Sequence, residues 1–461
     1  MDMTLSNSLA ALDAAHHLHP FTDARVLEKN GPLIIDRGEG IHVYDTTGKK
    51  YIEGMAGLWS VAVGFNEKRL ADAAYAQLLK LPYYHTFSAK GHEPSIRLSE
   101  KLAEIAPEGL SHVLYANSGS EGNDTVVKLV WYYNNALGRP EKKKFLARNN
   151  AYHGITMASG SLTGIVVDHK DFDLPILPVI HLTCPHFYKE GTADETEAQF
   201  TARLLAELED TIAREGAETI AAFIGEPVMG AGGVIVPPEG YWPGVEAICR
   251  KHDILLVADE VINGFGRLGT PFGAERMGFT PDIMTVSKQI TSSYMPLSAV
   301  VFSDAIYQAV ADNSHKIGTF AHGFTAAGHP VATAVALENL KIIEERDLIG
   351  NAARLAPAFQ AGMRALADSP IVGEARGVGM MAAVELSADK ATKRPFAKPG
   401  QVGQIANAIA HEEGLILRAI GDTLALCPPL IVTEADVAEI LRLMAVILER
   451  TAAEVAARGI K

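Results

Sequence analysis

Hydrophobic and polar positions change rhythm three times along the chain. Between residues 33 and 54, Leu33-Ile34-Ile35 reads as extended, Arg37-Gly38-Glu39-Gly40 as a turn, Ile41-His42-Val43-Tyr44 as a returning strand and Thr46-Thr47-Gly48-Lys49 as a second turn. That pattern predicts a small meander. Leu70, Ala74, Leu78 and Leu81 then fall near helical spacing, so an amphipathic helix follows. From about residue 94 to 330 short apolar runs alternate with helix-period segments. Strands are expected at His112–Ala116, Lys144–Ala147, Thr219–Gly225, Ile254–Asp259, Ile283–Val286 and Leu297–Phe302, with helices at Ser120–Ala136, Ala198–Arg214 and Trp242–Lys251. Such alternation implies an α/β fold with a mainly parallel sheet covered on both faces. The last third opens at Pro330 with a helix through Val335, Leu337 and Ile342. It continues through strand-like Glu374–Leu386 and Gly414–Cys427 and closes with a helix over Glu434–Ala457. Pro395–Gly400 reads as a flexible insert. The expected organisation is an N-terminal segment and meander over 1–70 belonging to a smaller lobe, a large domain over 71–330, and a small α+β domain over 331–461.

Composition narrows the class. A net charge of −14 without a basic tract argues against nucleic acid or an acidic membrane as partner. Three cysteines, Cys184, Cys249 and Cys427, have neither metal spacing nor an even count, which fits buried thiols in a reducing compartment such as the cytoplasm. The N-terminus from Met1 to Pro20 has Asp2 and no basic flank before an apolar run, so no export signal is expected. No apolar run reaches the roughly 18 residues of a membrane span. The sixteen histidines show no metal motif, and His16, His17 and His19 read as surface or packing residues.

Ligands of a parallel sheet bind at the carboxyl ends of its strands, and four such ends carry unusual residues. Asn117-Ser118-Gly119-Ser120-Glu121 opens a helix with small residues, which suits an anion as well as it suits a plain N-cap in which Ser120 bonds its own helix. Asp259-Glu260 places an acid at a buried strand tip, where it needs a partner: a cationic ring nitrogen, backbone, or an arginine such as Arg267. Ser287-Lys288 places an amine where desolvation makes a nucleophile, although a lone lysine there ordinarily reaches solvent. Tyr152-His153-Gly154 offers an aromatic plate, or simply a packed tyrosine. Together, an anion cup, a buried acid, a strand-end lysine and an aromatic surface are the parts that pyridoxal phosphate requires. Gly264-Phe265-Gly266-Arg267-Leu268-Gly269 matches a dinucleotide glycine pattern, but Thr270-Pro271 follows where a helix should begin. A nicotinamide oxidoreductase is therefore the weaker reading. Gly230-Ala231-Gly232-Gly233 reads as an active-site loop.

At these residues the chain resembles the class III aminotransferases of pyridoxal-phosphate fold type I. The resemblance runs from His19-Pro20-Phe21-Thr22 to Gly421-Asp422-Thr423. It also rests on Gly225-Glu226-Pro227, Ala258-Asp259-Glu260-Val261 and Gly323-Phe324-Thr325. It implies a seven-stranded, mainly parallel sheet and a smaller α+β domain. By the same resemblance, Lys288 carries the cofactor and works as the catalytic base, and Asp259 holds the pyridine nitrogen. Gly119 and Ser120 bind phosphate with Thr325 of a neighbouring subunit, Tyr152 and Val261 cover the ring faces, and His153 and Glu226 lie close by. Within the family the chain looks most like pyruvate-dependent ω-transaminases. Phe21, Trp59, Phe87 and Tyr152 match an aromatic substrate pocket and Arg418 a mobile arginine for carboxylates. The implied assembly is a homodimer, or a tetramer, with sites at the subunit interface. A racemase or decarboxylase on the same fold is the alternative reaction. Gln289, Ser293, Gly122 and Ala326-Ala327 depart from the pattern of relatives without removing a catalytic group.

Overall fold

The computed structural model describes residues 8–461. The expectation of no export signal rests partly on residues 1–7, which lie outside the described residues. Seven strands form the central sheet, in the spatial order Leu110–Ala116, Ser298–Ser303, Ile283–Val286, Leu255–Asp259, Ile220–Gly225, Lys144–Arg148 and Val179–Leu182. All run parallel except Ser298–Ser303, which is antiparallel to both of its neighbours. Ile220–Gly225 and Ile283–Val286 are buried at every position, as expected for strands covered on both faces. The helices Glu197–Glu215 and Tyr241–Lys251 pack on one apolar cluster with Phe200, Phe223 and Trp242, and Gly119–Ala136 packs on another with Phe145, Ile224 and Val300.

The meander forms strands Ile35–Glu39, His42–Asp45 and Lys50–Glu53, so its first strand runs through Arg37-Gly38-Glu39, where a turn was expected. The reversal falls instead at Gly40, whose φ of 57° is left-handed. Leu415–Ile416 joins this sheet in parallel beside Lys50–Glu53, so the N-terminal meander shares a sheet with the last third of the chain. A third sheet contains Val372–Val378, Met381–Leu386, Thr423–Leu426 and Arg418–Ile420. Glu434–Ala457 is a helix opened by a Thr433–Asp436 capping box. Pro395–Gly400 is not a loose insert: Phe396 is buried, and the Ala397 N–H donates to the Lys461 carbonyl at 2.9 Å. Among the described residues no helix is long and apolar enough to cross a membrane.

Candidate active site

Five strand ends converge on a cavity of about 410 Å³ bordered by Gly119, Ser120, Asn123, Tyr152, His153, Glu226, Asp259, Val261 and Lys288. After Leu110–Ala116 the chain turns into the 18-residue helix Gly119–Ala136, whose positive dipole end opens on the cavity. Ser118 is the cap: its hydroxyl accepts from the Glu121 N–H at 3.2 Å. Ser120 does not bond its own helix; its hydroxyl accepts from the Ile155 N–H at 3.1 Å. A β-carbon on Gly119 would stand 3.1 Å from Val261, so glycine keeps the space between helix and valine open.

Asp259 ends its strand buried, and an amide and an imidazole hold it rather than Arg267. Asn123 Nδ2 and His153 Nδ1 each lie 2.8 Å from Oδ2, and the Val261 N–H donates to Oδ1 at 3.2 Å. Asn123 also donates to the His153 carbonyl at 2.7 Å, which closes a triangle around the carboxylate. Arg267 is buried elsewhere, donating to the Pro428 carbonyl and Gln289 Oε1. Lys288 follows Ile283–Val286 with a left-handed φ of 48°. Burial pushes its ammonium pKa down, while the negative charges of Asp259 and Glu226 pull it back up. Lys288 and Asp259 thus face one cavity on the same side of the sheet.

Glu226 accepts from the Tyr152 N–H at 3.0 Å and from the Gly230 N–H at 2.8 Å, and burial raises its carboxyl pKa. It therefore pins the glycine loop to the tyrosine. Burial lowers the guanidinium pKa of Arg418, the charges of Tyr152 and Asp168 act on it in the opposite direction, and Arg418 is not among the residues that border the cavity. Leu58, not Trp59, borders the cavity. Trp59 is 1% exposed and packs with Met55, Val228, Ile262 and Cys427, because left-handed backbone at Ala56, Gly57 and Trp59 winds the segment tightly. Phe21, Phe87 and Thr325 lie away from the chain's own cavity on exposed segments. Gly264–Gly269 runs as consecutive turns, and no helix begins before Gly273, so the dinucleotide pattern has no helix to open. Asn123, Leu58 and the Met295-Pro296-Leu297 wall were not identified from sequence. Asn123 carried a signal, as an amide one turn into a helix whose buried side is mainly valine and leucine.

These residues suit the expected cofactor. The helix start offers backbone donors to a phosphate, the glycine slot leaves room beside Val261, and amine and carboxylate face one space. Fold and site together define a pyridoxal-phosphate enzyme of fold type I. The family model "Aminotransferase class-III" matches residues 24–448. A probable γ-aminobutyrate transaminase 3, mitochondrial, of Oryza sativa subsp. indica is 49% identical over 425 residues, 92% of this chain and 83% of that protein. The ω-transaminase of Pseudomonas jessenii in complex with PMP is 54% identical and superposes with a TM-score of 0.96, covering 97% of this chain and 99% of that one. A transaminase solved with L-Ala is 56% identical with a TM-score of 0.89, over 92% of this chain and 100% of that one. The chain belongs to the class III aminotransferases, and its cofactor is pyridoxal phosphate.

Proposed function

We propose that this aminotransferase moves an amino group from a primary amine or ω-amino acid to pyruvate, releasing a ketone or aldehyde and L-alanine in a ping-pong cycle. The observation that carries the reading is an apolar wall on the Lys288–Asp259 cavity together with a half-buried arginine, Arg418, which lies outside that lining but within electrostatic reach of Tyr152 and Lys288. Leu58, Met295, Pro296 and Leu297 border the cavity and suit an uncharged donor chain, while the Arg418 charge acts on Tyr152 and Lys288. A guanidinium there grips the carboxylate of a keto acid bidentately. The similar transaminase solved with L-Ala supports the acceptor, and the γ-aminobutyrate transaminases among the relatives support ω-amino acids as donors.

Bound pyridoxal phosphate supplies an electron sink for the donor carbon. Every other step belongs to the chain. The backbone at Gly119 and Ser120 binds the phosphate at the helix start. Asp259, fixed by Asn123 and His153, presents its charge to the ring nitrogen. Lys288, its pKa lowered by burial, takes the proton from the donor carbon onto its amine and holds it for delivery to the neighbouring carbon from the same side. Tyr152 and Val261, which both border the cavity, would cover the ring faces.

The same reading has two copies completing each site. Phe87 lies 3.2 Å from where a β-carbon of Gly323 would stand, and the Tyr83 hydroxyl donates to the Thr325 carbonyl at 2.8 Å, so these residues form one patch. Phe87 on that patch and, elsewhere on the surface, Phe21 are both exposed and free to face a second subunit.

The test is a donor panel of γ-aminobutyrate, β-alanine, a diamine and an aromatic amine, each with pyruvate, read by alanine formation. Alanine from at least one donor supports the proposal. Donor racemised or decarboxylated with no alanine overturns it in favour of the alternative reaction. Lys288→Ala should lose more than the roughly 10²–10⁴-fold of general-base catalysis, because the cofactor's tether goes as well. Near-parental turnover in that variant contradicts the assignment of Lys288.

A further inference from the structure

A buried knot of charge joins the third sheet to the active site. Arg376, on Val372–Val378, is 8% exposed at its side chain, and its partner Glu385 is 9% exposed. The guanidinium donates from Nε to the Gly233 carbonyl at 3.0 Å and the Val234 carbonyl at 3.2 Å, and from Nη2 to Gly233 at 2.6 Å. It also donates to Glu374 at 2.6 Å and to Glu385 at 3.1 Å. His186 meets Glu374 at 2.8 Å, and Lys189 meets Glu385 at 2.6 Å.

Both ends of the knot lead to the cavity. One end is the glycine loop. Val234 holds a left-handed φ of 54° and Gly233 one of 118°, a conformation that a β-branched residue keeps only when its surroundings impose it. Arg376 binds the carbonyls of those two residues. The loop folds back through Gly233 and Val234 N–H bonds to the Gly230 carbonyl, and Glu226 grips the Gly230 N–H. The other end is the hairpin of Arg418–Ile420 and Thr423–Leu426. The Thr423 hydroxyl donates to Glu385 Oε2 at 2.6 Å, and Arg418 pairs with Ala425 two residues along that strand. One guanidinium and one carboxylate therefore tie the loop behind Tyr152 to the hairpin that carries Arg418.

We infer that Arg376, acting with Glu385 and Thr423, is a positioning residue that holds Arg418 in register with the Tyr152 side of the cavity and so sets recognition of the keto-acid carboxylate. This rests on the reading of Arg418 given above. The chemistry explains why arginine is used: its planar fork serves two carbonyls and two carboxylates at once, which an ammonium does not.

The experiment uses holoenzyme of the parent, Arg376→Lys, Thr423→Val and Arg418→Ala, with an uncharged amine as donor and pyruvate as acceptor. Arg376→Lys keeps the charge, and Thr423→Val keeps the shape, so at least one of them should remain folded, as checked by its melting curve and bound-cofactor absorbance. The expected result is a KM for pyruvate raised by about tenfold or more in both variants, with the KM for the amine changed less than about twofold. Arg418→Ala should raise the pyruvate KM at least as far. If Arg418→Ala raises it and the other two variants do not, the positioning role is overturned and the Arg418 reading stands. If Arg418→Ala leaves it unchanged, both fall. Equal rises for amine and pyruvate mean general loosening and also overturn the inference.

Discussion

Asp259 keeps its place at a buried strand tip because an amide and an imidazole meet the same oxygen, at 2.8 Å each. A carboxylate left there with fewer partners would lie less well aimed at the cofactor. Asn123→Ala should lower kcat by about tenfold, in line with the roughly 1–3 kcal/mol cost of leaving a buried polar group short of a partner. Steady-state kinetics with saturating cofactor will measure it, and an unchanged kcat contradicts the role given to Asn123. At this scale the sequence showed the groups that do chemistry and not those that hold them. Lys288, Asp259 and Tyr152 stand out because each is unusual where it stands. Asn123 is i+3 from Ser120 on a helix and meets Asp259 136 residues later, a separation that no local pattern reports.

Elements bring those groups together only as closely as their packing permits. The helix Gly119–Ala136 lies so near Ile283–Val286 that a β-carbon on Gly122 would stand 2.8 Å from Thr285 Cγ2. This gives glycine a physical reason at position 122. Gly122→Ala gains helix propensity of about 1 kcal/mol but overpacks by about 1–3 kcal/mol, so the melting temperature should fall. Adding Thr285→Ser removes the obstructing methyl and should restore it. A double variant no better than the single one contradicts this account. Boundaries of the long helices were legible, Glu434–Ala457 among them, because apolar periodicity and caps agree. The edge strand Val179–Leu182, only partly buried at its first three positions, was missed. The helix Leu348–Ala365 was missed as well; it holds Pro357 in its interior, a signal that ordinarily ends a helix.

Over the whole molecule, burial has a cost that pH reveals. Glu260, next to Asp259, accepts from the Gly273 and Ala274 N–H groups at 2.9 and 2.7 Å, yet burial pushes its carboxyl pKa up to about 8. A carboxyl whose folded pKa exceeds its unfolded value binds more protons when folded. Its contribution is therefore fullest below the unfolded pKa and declines as pH rises toward 8. Glu260→Gln removes that titration, so its melting temperature should fall less than the parent's between about pH 5 and pH 8. Identical slopes contradict the assignment.

The alternation of short apolar runs with helical periods determined an α/β sheet, because side-chain period and burial are local properties of consecutive residues. It also determined where chemistry must sit, because odd residues at strand tips are visible one at a time. Only the tertiary structure decided which strand lies beside which, that Ser298–Ser303 runs against its neighbours, and that Leu58 rather than Trp59 borders the cavity. It alone showed that Arg376 reaches Gly233 across 143 positions. Those outcomes depend on contacts between residues far apart in sequence, where the free energy of burial and pairing acts on the whole packed arrangement at once.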